Sequence, residues 1–93
     1  MAQSWFALIY EYVPNMVERR VPYREAHLAL LGELRDRGDV YMAGAIGDPV
    51  DGGLIIFHGE TNQAAHDFVA ADPFGAAGLV VSYRIVPWAV AVS

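Results

Sequence analysis

The chain has 93 residues, 55% of them apolar and 18% charged, which fits one packed domain and excludes disorder. Six Arg, no Lys and eleven acidic residues leave a net charge of −5. Binders of nucleic acid or anionic membrane need clustered cations, so neither class is expected, and zero Cys removes disulfides, zinc-thiolate sites and thiol nucleophiles.

Residues 4–13 carry β-branched and aromatic side chains without internal Gly or Pro and predict a strand that Pro14 ends. Residues 15–21 read as a connector holding Arg19 and Arg20. Pro22 suits the first turn of a helix, which runs to about Arg37 and stops at Gly38. Tyr23, His27, Leu28, Leu30, Leu31 and Leu34 give that helix its inner stripe. Residues 40–46 predict a second strand broken by Gly44. The turn-rich stretch from Gly47 to Gly53 predicts a hairpin loop, and residues 54–59 a third strand. Thr61 or Asn62 caps a second helix that reaches Ala71, with Ala65, Phe68 and Val69 inward. Asp72-Pro73-Phe74-Gly75 breaks it, and residues 79–86 predict a fourth strand that Pro87 ends or leaves at an edge.

The order β-α-β-β-α-β predicts an α+β, ferredoxin-like split βαβ: a four-stranded antiparallel sheet with both helices on one face. Residues 1–93 form a single domain on this reading. The apolar stretches 5–13 and 79–92 are interrupted by Glu11, and by Arg84 and Pro87, so no membrane span is expected and the chain reads as cytoplasmic.

Whichever face of each strand turns inward, the other remains apolar across several strands, and a short chain has little surface to spare. A homodimer pairing two sheets face to face is therefore expected. Glu11 and Arg84 fall on strands that can neighbour each other, either as a charge pair at or near that interface or, the plainer and favoured reading, with one of them simply at its rim.

Two ionisable residues share apolar stripes. His27 falls with the leucines of the first helix, and Asp72 continues the inner stripe of the second. A carboxylate beside imidazole fixes its tautomer and raises its basicity, as a general acid–base requires. Taken singly, each has a plainer reading: a core histidine bonded to backbone, and an Asp-Pro turn bonded to nearby N–H groups. Arg24, one turn before His27, is a candidate to hold an anionic ligand, with the backbone near Gly44 as a second contact to substrate oxygen. Tyr10, Phe74 and Tyr83 supply candidate apolar wall. His66 reads as solvated and His58 lies in a strand. The spacing of 27, 58 and 66 fits no metal site, so no metal is predicted. No phosphate loop or serine elbow is present.

Arg24-Glu25-Ala26-His27-Leu28, Ala43-Gly44, Asp72-Pro73-Phe74, Ala77-Gly78-Leu79-Val80 and Val86-Pro87-Trp88 together resemble the YCII-related family over nearly the whole chain. The resemblance implies a ferredoxin-like dimer of the α+β barrel superfamily and an active site built on His27 and Asp72. Where that family usually has Pro after Ala-Gly, this chain has Ala45. Most members have no assigned reaction; the resemblance implies, at its most specific, elimination of chloride from hydroxylated chloroaromatics.

Two functions are carried forward. One is a cofactor-independent enzyme using His27 and Asp72 on a small aromatic or lactone-like substrate, by elimination or isomerisation. The other is a non-catalytic dimeric module that binds a small ligand or serves another protein, with the same two residues as a structural tie.

Overall fold

The computed structural model describes residues 4–93. The chain runs β1 (Ser4–Tyr12), α1 (Met16–Arg19), α2 (Arg24–Asp36), β2 (Val40–Ile46), β3 (Gly52–Gly59), α3 (Gln63–Ala71), α4 (Pro73–Ala76) and β4 (Val80–Trp88). The strands form one antiparallel sheet in the order β2-β3-β1-β4. This is the ferredoxin-like α+β arrangement that the element order predicts. Among the described residues, no helix is long and apolar enough to cross a membrane.

Several boundaries differ from the sequence reading. A single helical turn, α1, occupies the expected connector and is anchored by Met16, which is fully buried. Pro22 does not open α2. It lies in a turn where the Tyr23 N–H donates to the Arg20 carbonyl (2.9 Å), and α2 begins at Arg24. β3 begins two residues earlier than expected, at Gly52, so the hairpin loop is shorter. Gly47 turns that loop at φ +97°, a conformation glycine adopts without a Cβ clash. β4 passes through Pro87 to Trp88, which costs little because β4 is an edge strand.

Alternation sorts β1 cleanly. Leu8, Tyr10 and Tyr12 face the helices and are buried with Ile55 and Phe57 of β3. His27, Leu31 and Leu34 from α2, and Ala65 and Phe68 from α3, close this core. Leu28 and Tyr23, expected on the inner stripe, lie at its border and are 46% and 39% exposed.

The opposite face carries no helix. By register, Trp88, Trp5 and His58 form a row across β4, β1 and β3. Trp5 stacks on His58 with centroids 4.2 Å apart and meets Tyr41 of β2 edge-on at 5.1 Å. The next row is Val86, Ala7, Ile56 and Met42. Ala7 and Ile56 are buried at the centre of this face, while Tyr41 and Met42 of β2 and Trp88 of β4 leave apolar surface exposed towards its two edges. Glu11 and Arg84 share this face but form no ion pair. Ser82, not Arg84, stands opposite Glu11 and donates to its carboxylate (3.0 Å), while Arg84 stands opposite Ile9.

Candidate active site

His27 and Asp72 meet. The imidazole Nδ1 lies 2.7 Å from Asp72 Oδ1, with both side chains almost completely buried. α2 delivers the ring on the stripe it shares with Leu31 and Leu34. Asp72 sits at the joint between α3 and α4 in extended conformation, and its Oδ1 also accepts the Phe74 N–H (3.1 Å), capping α4. The plain Asp-Pro turn and the paired carboxylate, two readings of this residue, are thus both present in one geometry.

Tyr10 completes the network. Its hydroxyl donates to Asp72 Oδ2 (2.8 Å) from β1. Burial pushes its pKa far above the ordinary phenol range, and the charge of Asp72 and the hydrogen bond add to the shift. Tyr10 therefore remains a neutral donor. The Tyr10 hydroxyl and the Phe74 N–H both donate to the carboxylate, so Asp72 acts as an acceptor; towards such an acceptor Nδ1 carries the hydrogen, which in the neutral ring leaves the lone pair on Nε2.

The ring is fixed from its faces too. It stacks on Phe74 with centroids 3.7 Å apart and planes 7° off parallel, and meets Phe68 edge-on. Among the described residues Nε2 has no hydrogen-bond partner. Among the described residues no sealed side-chain nitrogen or oxygen lacks one, so Nε2 opens onto accessible space.

His27 lines a partly open cavity of about 150 Å³ between α2 and β2. Arg24, His27, Leu28 and Leu31 line one side, the small residues Ala43, Gly44 and Ala45 the other, with Phe74 at the back and Tyr12 and Arg20 at one end. A dry cavity of roughly this size holds one benzene ring. The candidates Arg24, Gly44 and Phe74 are brought together here with His27. Tyr10 and Tyr83 are not: Tyr10 lies behind Asp72 with its hydroxyl spent on the carboxylate, and Tyr83 stands opposite it at the uncovered end of the sheet. Tyr10, expected as apolar wall, thus does not line this cavity, although with Tyr83 it lines a separate groove beside Val69 and Gly75. His66 is exposed on α3, and His58 belongs to the open sheet face. Among the described residues no group of three or more His, Cys, Asp or Glu is placed to hold a metal.

Sequence reasoning missed Tyr12 and Arg20. A signal for Tyr12 exists in Gly53: glycine inside a strand marks a close approach. A Cβ there would lie 2.6 Å from the Tyr12 hydroxyl oxygen.

A sealed carboxylate–imidazole pair bordering a ring-sized cavity, on a ferredoxin-like sheet, defines a small α+β protein with a candidate acid–base site. The YCII-related domain model matches residues 4–89, and the chain belongs to that family. An uncharacterized protein of Haemophilus influenzae is 32% identical over 93 residues, covering 90% of this chain and 95% of its own. A solved structure of the 5-chloro-2-hydroxyhydroquinone dehydrochlorinase TftG from Burkholderia phenoliruptrix AC1100, in complex with 2,5-dihydroxybenzoquinone, is similar at TM-score 0.75 and 26% identity, covering 91% of this chain and 93% of that one. A NIPSNAP-like domain protein from Burkholderia xenovorans shares the fold at TM-score 0.57 and 14% identity, covering 98% of this chain and 88% of that one.

Proposed function

We propose that the protein is a cofactor-independent enzyme in which His27 and Asp72 form the acid–base pair acting on a small ring-shaped substrate. The observation that carries this is the setting of the imidazole: Nδ1 is held by a buried carboxylate while the residue lines a ring-sized cavity, which leaves Nε2 for a substrate. In this reading Nε2 removes a proton from the substrate, and the Asp72 carboxylate stabilises the resulting imidazolium. In an elimination a leaving group departs with its bonding pair as the proton goes to His27. In an isomerisation the same proton returns at another position. Dehydrochlorination, the activity of the similar Burkholderia enzyme, is a step of the first kind. Arg24 and the backbone at Gly44 hold substrate oxygen, and Phe74 backs the ring. Proton transfer of this kind calls on no cofactor.

The protein works as a homodimer through the open sheet face. Its uncovered aromatic and aliphatic rows are self-complementary, and pairing two copies removes that surface from water.

One observation favours the non-catalytic alternative: the Asp72 carboxylate already ties β1, α2 and α4 together, as a structural element would. His27→Asn separates the two. In the enzyme it leaves the unfolding midpoint close to wild type and abolishes chloride release from hydroxylated chloroaromatics. In a structural tie it costs about 1–3 kcal/mol in urea unfolding. Chloride release by His27→Asn at the wild-type rate overturns the proposal.

A further inference from the structure

The end of the cavity formed by Tyr12 and Arg20 has a chemistry of its own. Met16 is fully buried, and Arg20 follows it by four residues, so the α1 turn that anchors Met16 carries Arg20 over the same side of the sheet. Arg20 is half-buried and Arg24 exposed, and both line the cavity. Among the described residues neither has a carboxylate within ion-pair distance, although the chain holds eleven acids. Two unpaired guanidinium groups at one cavity of an acidic protein form a local positive field.

Tyr12 stands where the charge of Arg20 competes with that of Asp72. Its side chain crosses β3 where Gly53 has no Cβ to obstruct it, and its ring packs edge-on against Phe74. The residue is 8% exposed, yet among the described residues its hydroxyl has no hydrogen-bond partner. No sealed side-chain polar atom among them is left unpartnered, so this hydroxyl reaches accessible space, and the residue lines the cavity. Burial and the nearby Asp72 charge push its pKa above the ordinary phenol range, against the opposing pull of Arg20, so it stays protonated as a donor. A buried hydroxyl with an unused hydrogen, beside an unpaired guanidinium, is a built receptor for an oxyanion.

We propose that Tyr12 and Arg20 form an oxyanion subsite that selects small planar ligands bearing an ionised ring oxygen or carboxylate, and orients the rest of the ring toward His27. Arg20 supplies the charge and Tyr12 the directional hydrogen bond. The inference rests on the reading of the cavity as a substrate site and adds the charge state of what enters it.

The test uses 4-nitrophenol as probe and 4-nitrotoluene as its neutral counterpart of similar shape. Below the probe's own pKa, wild type binds 4-nitrophenol with a rise in phenolate absorbance, because the subsite favours the ionised form. Tyr12→Phe and Arg20→Gln each weaken phenolate binding by about tenfold and reduce that rise. They leave 4-nitrotoluene binding unchanged, and thermal unfolding verifies that both variants fold. Phenolate binding and absorbance equal in wild type and both variants overturns the subsite alone, leaving His27 to its own test. If neither probe binds and the ring signals of His27 do not shift in NMR spectra, the cavity is no ligand site and both readings fall.

Discussion

The two faces of the sheet solve opposite problems. On the helix side, three elements converge on one carboxylate, and every donor that reaches Asp72 has been positioned by a different stretch of chain. On the open side, aromatic and aliphatic rows cross the strands with nothing packed over them. The first face is specified by a few polar contacts, each costly to lose. The second is specified by area, spread over many side chains. Stability and chemistry should therefore be sensitive to single atoms on one face, and to charge and concentration on the other.

The largest effect expected is on the helix side. Asp72→Ala strands the Tyr10 hydroxyl, the His27 ring and the Phe74 N–H at once, and should cost about 3–5 kcal/mol in urea unfolding. A cost below about 1 kcal/mol would mean the network is not the keystone of this face. Next, Ala7→Lys places a charge amid the apolar rows of the open face. Light scattering should show wild type as a dimer and the variant as a monomer, with an unfolding midpoint that no longer rises with protein concentration. Identical oligomeric states would remove the contrast between the two faces.

The smallest effect concerns Tyr10. Its folded-state pKa is raised above the ordinary value of 10.0. The folded protein then holds a proton that the unfolded chain releases, so this contribution is complete below pH 10 and is lost as pH rises beyond it. The chain has no Lys to titrate over the same range. Stability should fall above that pH by about 1.4 kcal/mol per pH unit for each raised tyrosine. Tyr10→Phe should flatten the slope by one tyrosine's share, at a cost of about 1 kcal/mol near neutrality. Denaturant unfolding across alkaline pH reads both, and an unchanged slope would contradict the buried donor.

The fold was legible because its signals are local. Period-two alternation in β1, the leucine stripe of α2 and the turn-rich stretch around Gly47 each declare an element over a few residues. His27 and Asp72 were legible for a related reason: each is an ionisable group on an apolar stripe, and the topology puts both stripes on one sheet face. What stayed hidden depends on register and depth. Tyr10 looked like wall because nothing in β1 alone says that its hydroxyl ends against the α3–α4 joint. α1 is a four-residue helix with a left-handed Asn15 before it, fixed by the burial of Met16 rather than by local pattern. Arg20 inherits its place from that anchor, and Tyr12 depends on the pairing that brings it over Gly53.

One oxygen atom, Oδ1 of Asp72, both caps the last short helix and steadies the imidazole. Fraying at Pro73–Ala76 therefore loosens the hold on the His27 ring as well. Gentle warming should release the imidazole while the sheet is still whole, with the onset set by one helical turn rather than by the melting of the domain.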